Sequence, residues 1–205
     1  YQEGVRLIER QAPLPEEGFV PVLDVVPDQP VAAADALFDA AVRKCEVLIF
    51  RRPNSRWMAP ARLLIGKAHY RRRNYMLALQ TLEYIPRAFP GHELIPEALL
   101  WQARVQHRLG NTAAARRLLQ DVARTPRVPA EVQADAALLL ATLHIAENEF
   151  SPAAKVLEDR VAGLRGRDRR ARAHLLLGQL YERLRVPGRA QPHYAEAARR
   201  ARSPE

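Results

Sequence analysis

Six side chains able to grip an anion recur at one interval. Lys67, Tyr70 and Arg71 are followed 37 residues later by Arg104, His107 and Arg108. Cations spaced this way favour capture of carboxylates, from an acidic peptide or a chain-terminal carboxylate, with the aromatic as an apolar anchor. The same types do not suggest catalysis. The six histidines, His69, His92, His107, His144, His174 and His193, show no metal-ligand spacing with one another or with carboxylates. There is no glycine-rich phosphate loop and no serine nucleophile elbow. The expectation is a binding protein, with no enzymatic activity, cofactor or metal.

The residues that must position this set belong to a repeat. Small residues recur at Gly66, Ala103, Ala141 and Gly178, in steps of 37, 38 and 37. A second series, Ala78, Ala115, Ala153 and Ala190, keeps the same steps. Two small residues facing each other let two helices cross closely. Leu63, Ile65, Leu77 and Leu82 are expected to fill the first crossing. A small residue, then an aromatic at Tyr75, Ala78 and Pro90 match the tetratricopeptide pattern. The predicted fold is all-α, a right-handed tetratricopeptide solenoid of helix pairs. Residues 57–205 divide into repeats 57–94, 95–128, 129–166 and 167–205. Residues 1–56 form an N-terminal half repeat with a proline-rich extended insertion.

The core expected along the helix crossings is Ile65, Gly66, Ala78, Leu82, Ala103, Ala115, Leu119, Leu140, Ala141, Ala153, Leu157, Leu177, Gly178 and Ala190. In the half repeat, residues 1–11 suit a short helix. Residues 31–51 suit a longer one, with Ala34, Phe38, Ala41, Val42 and Cys45 at helical spacing. Cys45 reads as a buried structural thiol. Five prolines between residues 12 and 30 exclude helix there, while Phe19, Val22, Leu23 and Val26 suggest that this stretch lies against the helices. Asn54 or Ser55, and Ser151 ahead of Pro152, are candidate helix caps.

The chain carries +9, almost wholly as arginine. One reading is an acidic partner, an anionic surface or nucleic acid; the other is solvated helix faces in an arginine-rich composition. Arg165, Arg167, Arg169, Arg170 and Arg172 crowd one loop and helix start, where the helix dipole does not favour cations. They lack the interleaved aromatics of a single-strand nucleic-acid binder, so nucleic acid is not the expected partner. The absence of Met at Tyr1 reads as a mature or excised fragment.

Three stretches are more specific than a generic repeat. RKCEVLI at residues 43–49, RWMAPARLLIGKAHYRRRNYMLALQTLEYI at 56–85 and EALLWQAR at 97–104 resemble the PorW/SprE family. These are outer-membrane tetratricopeptide lipoproteins of the type IX secretion system and gliding motility. The resemblance covers roughly residues 1–125; Arg62 and Gln102 stand where more apolar residues are expected. It implies a non-catalytic scaffold on the periplasmic face of the outer membrane. Its partners would be the PorK/PorN ring and the Sov/SprA translocon, with membrane attachment through an upstream lipid anchor.

Overall fold

The computed structural model describes residues 1–11 and 31–202. Among these residues there are ten α-helices and no strand. The expectations for the proline-rich stretch and for residues 203–205 lie outside the described residues. The described chain forms two compact units, residues 1–11 with 31–125, and residues 126–202.

In the first unit, α1 (Gln2–Gln11) packs on α2 (Ala32–Arg51). Ala34, Phe38 and Val42 lie four residues apart and bury one face of α2, the period expected of an amphipathic helix. The Tyr1 ring sits 5.6 Å from Phe38. Cys45 is half-buried at the edge of this cluster, and burial pushes its thiol pKa up, away from reactivity. Two helix pairs follow: α3 (Met58–Arg71) with α4 (Tyr75–Ala88), then α5 (Ile95–Arg108) with α6 (Thr112–Arg124). The second unit holds α7 (Ala130–Ala146) with α8 (Phe150–Glu158), a short 3-10 turn at Val161–Gly163, and α9 (Arg167–Arg183) with α10 (Pro187–Arg202).

The small-residue markers do what their size allows. A Cβ on Gly66 would come within 2.6 Å of Leu82 Cγ, and one on Gly178 within 2.5 Å of the Tyr194 ring. Ala78, Ala103, Ala115, Ala141 and Ala153 are fully buried. Two expected core positions differ. Leu77 is 49% exposed, because Ala78 faces the crossing and its neighbour lies a hundred degrees around the helix. Leu140, next to Ala141, is half-buried for the same reason, and Leu139 and Leu138 fill the interior.

The turns inside the pairs share a second signature. Arg73, Gly110, Asn148 and Arg185 all have φ between 60° and 79°, again 37, 38 and 37 residues apart. At each, the next residue's amide donates back across the turn, as in Asn74 N to His69 O and Asn111 N to Gln106 O. This is the crossed hydrogen bonding that satisfies carbonyls at a helix end. It also sets where the second helix starts. α8 therefore begins at Phe150, so Ser151 and Pro152 lie inside it rather than capping it. At α3, the expected cap is displaced too: Ser55 Oγ accepts the Trp57 amide at 3.2 Å, and the helix starts at Met58.

One internal proline has a compensating partner. Pro86 lies within α4 and has no N–H to give the Leu82 carbonyl one turn earlier. Buried Gln102, from α5, donates its Nε2 to that carbonyl at 3.1 Å. A polar residue at an otherwise apolar position thereby completes a neighbouring helix.

Candidate functional site

The six residues singled out by spacing lie on α3 and α5, and their arrangement is organised by a residue that spacing did not select. Glu97, Trp101, Arg104 and Arg108 fall at i, i+4, i+7 and i+11 on α5, one helical face. Trp101 is buried on that face. The Tyr70 ring meets it edge-on at 5.3 Å, and Tyr75 lies 5.8 Å from Tyr70. Arg104 stacks over the indole at 4.3 Å, and Lys67 Nζ lies 5.5 Å from the same ring while pairing with Glu97. Arg108 Nε reaches Tyr70 Oη at 3.5 Å, a long contact.

This arrangement corrects the expected open groove. Tyr70, Arg71 and Arg104 are only 4%, 4% and 3% exposed. Tyr70 joins α3 to α5 through Trp101, Arg104 packs on the same indole and Arg71 is buried, so Arg104 does not point away from the packing. Burial, and then Arg108, lower the His107 pKa, so His107 is neutral at pH 7 and adds no charge. The accessible cations are half-buried Lys67 and exposed Arg108. The signal for Trp101 was present in EALLWQAR: a lone tryptophan among cations at helical spacing is a stacking platform.

The arginine cluster of the second unit is also engaged. Arg165 pairs with Glu131 at 3.0 Å and Arg169 with Asp135 at 2.6 Å. Arg167 Nε donates to the Arg200 carbonyl. These partners, more than 30 residues away in sequence, give Arg165, Arg167 and Arg169 an internal role.

Histidines that spacing left isolated are brought together. His174 Nδ1 lies 3.1 Å from His193 Nδ1, and the His193 ring stacks on Tyr181 at 5.7 Å. Burial, then His193, lower the His174 pKa. Burial and a hydrogen bond to Glu158 push the Tyr181 hydroxyl up to about 12. At the α7–α8 turn, His144, Glu147 and Glu149 place ligand-capable atoms within 4.8 Å of one another. Separations of three and five residues across a left-handed turn escape a helix-based spacing search. The His144–Glu149 pair at 2.6 Å occupies the position of the Gln106–Asn111 hydrogen bond in the preceding repeat, a clasp on the turn.

A tetratricopeptide repeat family model matches residues 97–125, the α5–α6 pair. The fold is the tetratricopeptide fold. Solved structures with the same tetratricopeptide-like architecture include a crystal structure of MamA, 18% identical, with a TM-score of 0.60 over 85% of this chain and 96% of that one. A second MamA crystal structure is 19% identical with a TM-score of 0.57, over 82% of this chain and 85% of that one. No curated protein sequence matches the chain.

Proposed function

We propose that this protein is a non-catalytic protein–protein interaction scaffold serving a type IX secretion machine on the periplasmic face of the outer membrane. Its partners would be the PorK/PorN ring and the Sov/SprA translocon. The observation that carries the general reading is the tetratricopeptide architecture, whose stacked helix pairs present extended binding surfaces. Support for the specific machine comes from the resemblance of roughly residues 1–125 to PorW/SprE, carried by the stretches at 43–49, 56–85 and 97–104. No helix among the described residues is long and apolar enough to cross a membrane. The accessible edge of the first unit, Lys67 with Arg108, remains the candidate contact for an acidic segment.

Interferometry with the purified chain against the isolated ring complex tests this reading. Saturable binding, weakened by K67E/R108E with the helical circular dichroism spectrum unchanged, is the expected result. Absence of binding to both ring and translocon overturns it. The alternative, an anionic-surface or nucleic-acid binder, predicts a steep loss of DNA retardation between 50 and 200 mM salt, on the order of a thousandfold for several phosphate contacts. Engagement of Arg165, Arg167 and Arg169 within the fold argues against it.

A further inference from the structure

Exposed large apolar side chains are unevenly placed. Six of the eight among the described residues, Val47, Phe50, Trp57, Met76, Leu77 and Tyr84, fall between residues 47 and 84, with Phe50 87% exposed. On α2, Val47 and Phe50 are three residues apart; on α4, Leu77, Thr81 and Tyr84 follow at i, i+4 and i+7. Each set therefore forms one helical stripe. Between them runs a cavity of about 360 Å³, walled by Glu46, Ile49, Phe50 and Thr81 and floored by Arg62, Ile65 and His69 of α3. Arg62, one of the two residues expected to be more apolar, lies with its guanidinium 3.9 Å over the Tyr84 ring. Its Nε is buried and makes no hydrogen bond among the described residues, and the same holds for His69 Nδ1.

A buried guanidinium donor without an acceptor costs free energy unless something else supplies the acceptor. Aromatic and arginine side chains around a pocket lined by both apolar and polar groups are also the composition of interaction hot spots. We propose that this groove is a second docking site, which takes an acidic peptide segment of a protein partner. The segment seats an apolar side chain against Ile49, Phe50 and Ile65 and places a carboxylate on Arg62. Charge complementarity selects the occupant. Arg62 is held in place by Tyr84 and reads a planar carboxylate, while His69 offers a second donor in its Nδ1–H tautomer. Glu46, on the opposite wall, limits the pocket to one carboxylate. The site is distinct from the Lys67–Arg108 edge and goes beyond the scaffold role proposed above.

The test uses the full chain and a fluorescein-labelled, capped tetrapeptide Gly-Leu-Phe-Glu, with Gly-Leu-Phe-Gln as its neutral counterpart, read by polarisation. The acidic peptide is expected to bind about tenfold or more tightly than the neutral one, as charge-assisted hydrogen bonds imply. Arg62→Gln should remove that preference. Phe50→Ser should weaken both peptides at least about tenfold without disturbing the fold, since Phe50 is almost wholly solvated. K67E/R108E should leave binding unchanged, which separates this site from the basic edge. Equal affinity for the two peptides, or wild-type binding by both Arg62→Gln and Phe50→Ser, overturns the proposal. A concentration-dependent dimer in sedimentation, abolished by Phe50→Ser, would assign the groove to a second copy and equally overturn it.

Discussion

Replacing Gln102 with leucine tests whether Pro86 and Gln102 form one device. The substitution nearly preserves volume, so little cavity or overpacking term is expected. It leaves the Leu82 carbonyl, in a fully buried residue, without the Nε2 donor that meets it at 3.1 Å. An acceptor left unsatisfied in the interior costs about 1–3 kcal/mol. For a chain of this size each kcal/mol moves Tm by about 2–4 °C, so a fall on the order of 5 °C is expected. The companion change, Pro86→Ala, restores a main-chain N–H one turn after Leu82. A carbonyl has two lone pairs and can accept both donors, so this change should be neutral or stabilising alone. In its presence, Gln102→Leu should cost far less. Denaturant unfolding of the four proteins gives the coupling directly, expected at about 1–2 kcal/mol. An undiminished Gln102→Leu penalty in the Pro86→Ala background, or no penalty in the native one, would refute the reasoning.

Other consequences follow from the packing and the titrating groups. Gly66→Ala brings a methyl group against Leu82, and an overpacking cost of about 1–3 kcal/mol should outweigh the gain of about 1 kcal/mol in helix propensity; calorimetry should show a lower Tm. Ala115→Leu, at a fully buried crossing, should cost about 1–3 kcal/mol, and an unchanged Tm would contradict the crossing. Burial depresses the pKa of His69, His107 and His174 below the usual 6.5. Their contribution is therefore present above pH 6.5 and lost as pH falls through the lower folded values; denaturant midpoints should decline in that window. At the alkaline end, Tyr181 and Tyr194 hold their protons to about 12 against an ordinary 10. The stability they confer is present below pH 10 and lost as pH rises through 12. The Tyr181→Phe variant should show a shallower decline.

Most of the helical framework was legible because it is periodic. The starts of α4, α5 and α7 follow from Tyr75 and from the repeat boundaries at residues 95 and 129. Less of the binding surface was legible. Position in a repeat tells which helix face Arg104 occupies, but not that Trp101 lies beside it and draws the cation into the α3–α5 contact. Nor does local sequence show that Arg165 and Arg169 find Glu131 and Asp135, because those partners arrive through folding. Arg62 and Gln102 looked like departures from an apolar pattern. Gln102 completes a helix interrupted by proline, while Arg62 rests on an aromatic ring beside an accessible cavity.

The left-handed turns also bear on how such a chain can diverge. At the four turns inside the helix pairs, three of the residues with positive φ are not glycine, although that conformation is costly for a side chain. Their backbone is thus imposed by the two helices they join, not chosen by the turn residue. A loop whose shape is dictated by its neighbours imposes little requirement on its own sequence. Mutation can replace arginine with asparagine or glycine there without shifting the register of the next repeat. Such tolerance lets the joints of this chain change in sequence while the small residues at the crossings, Gly66 and Gly178 among them, hold the spacing of its helices.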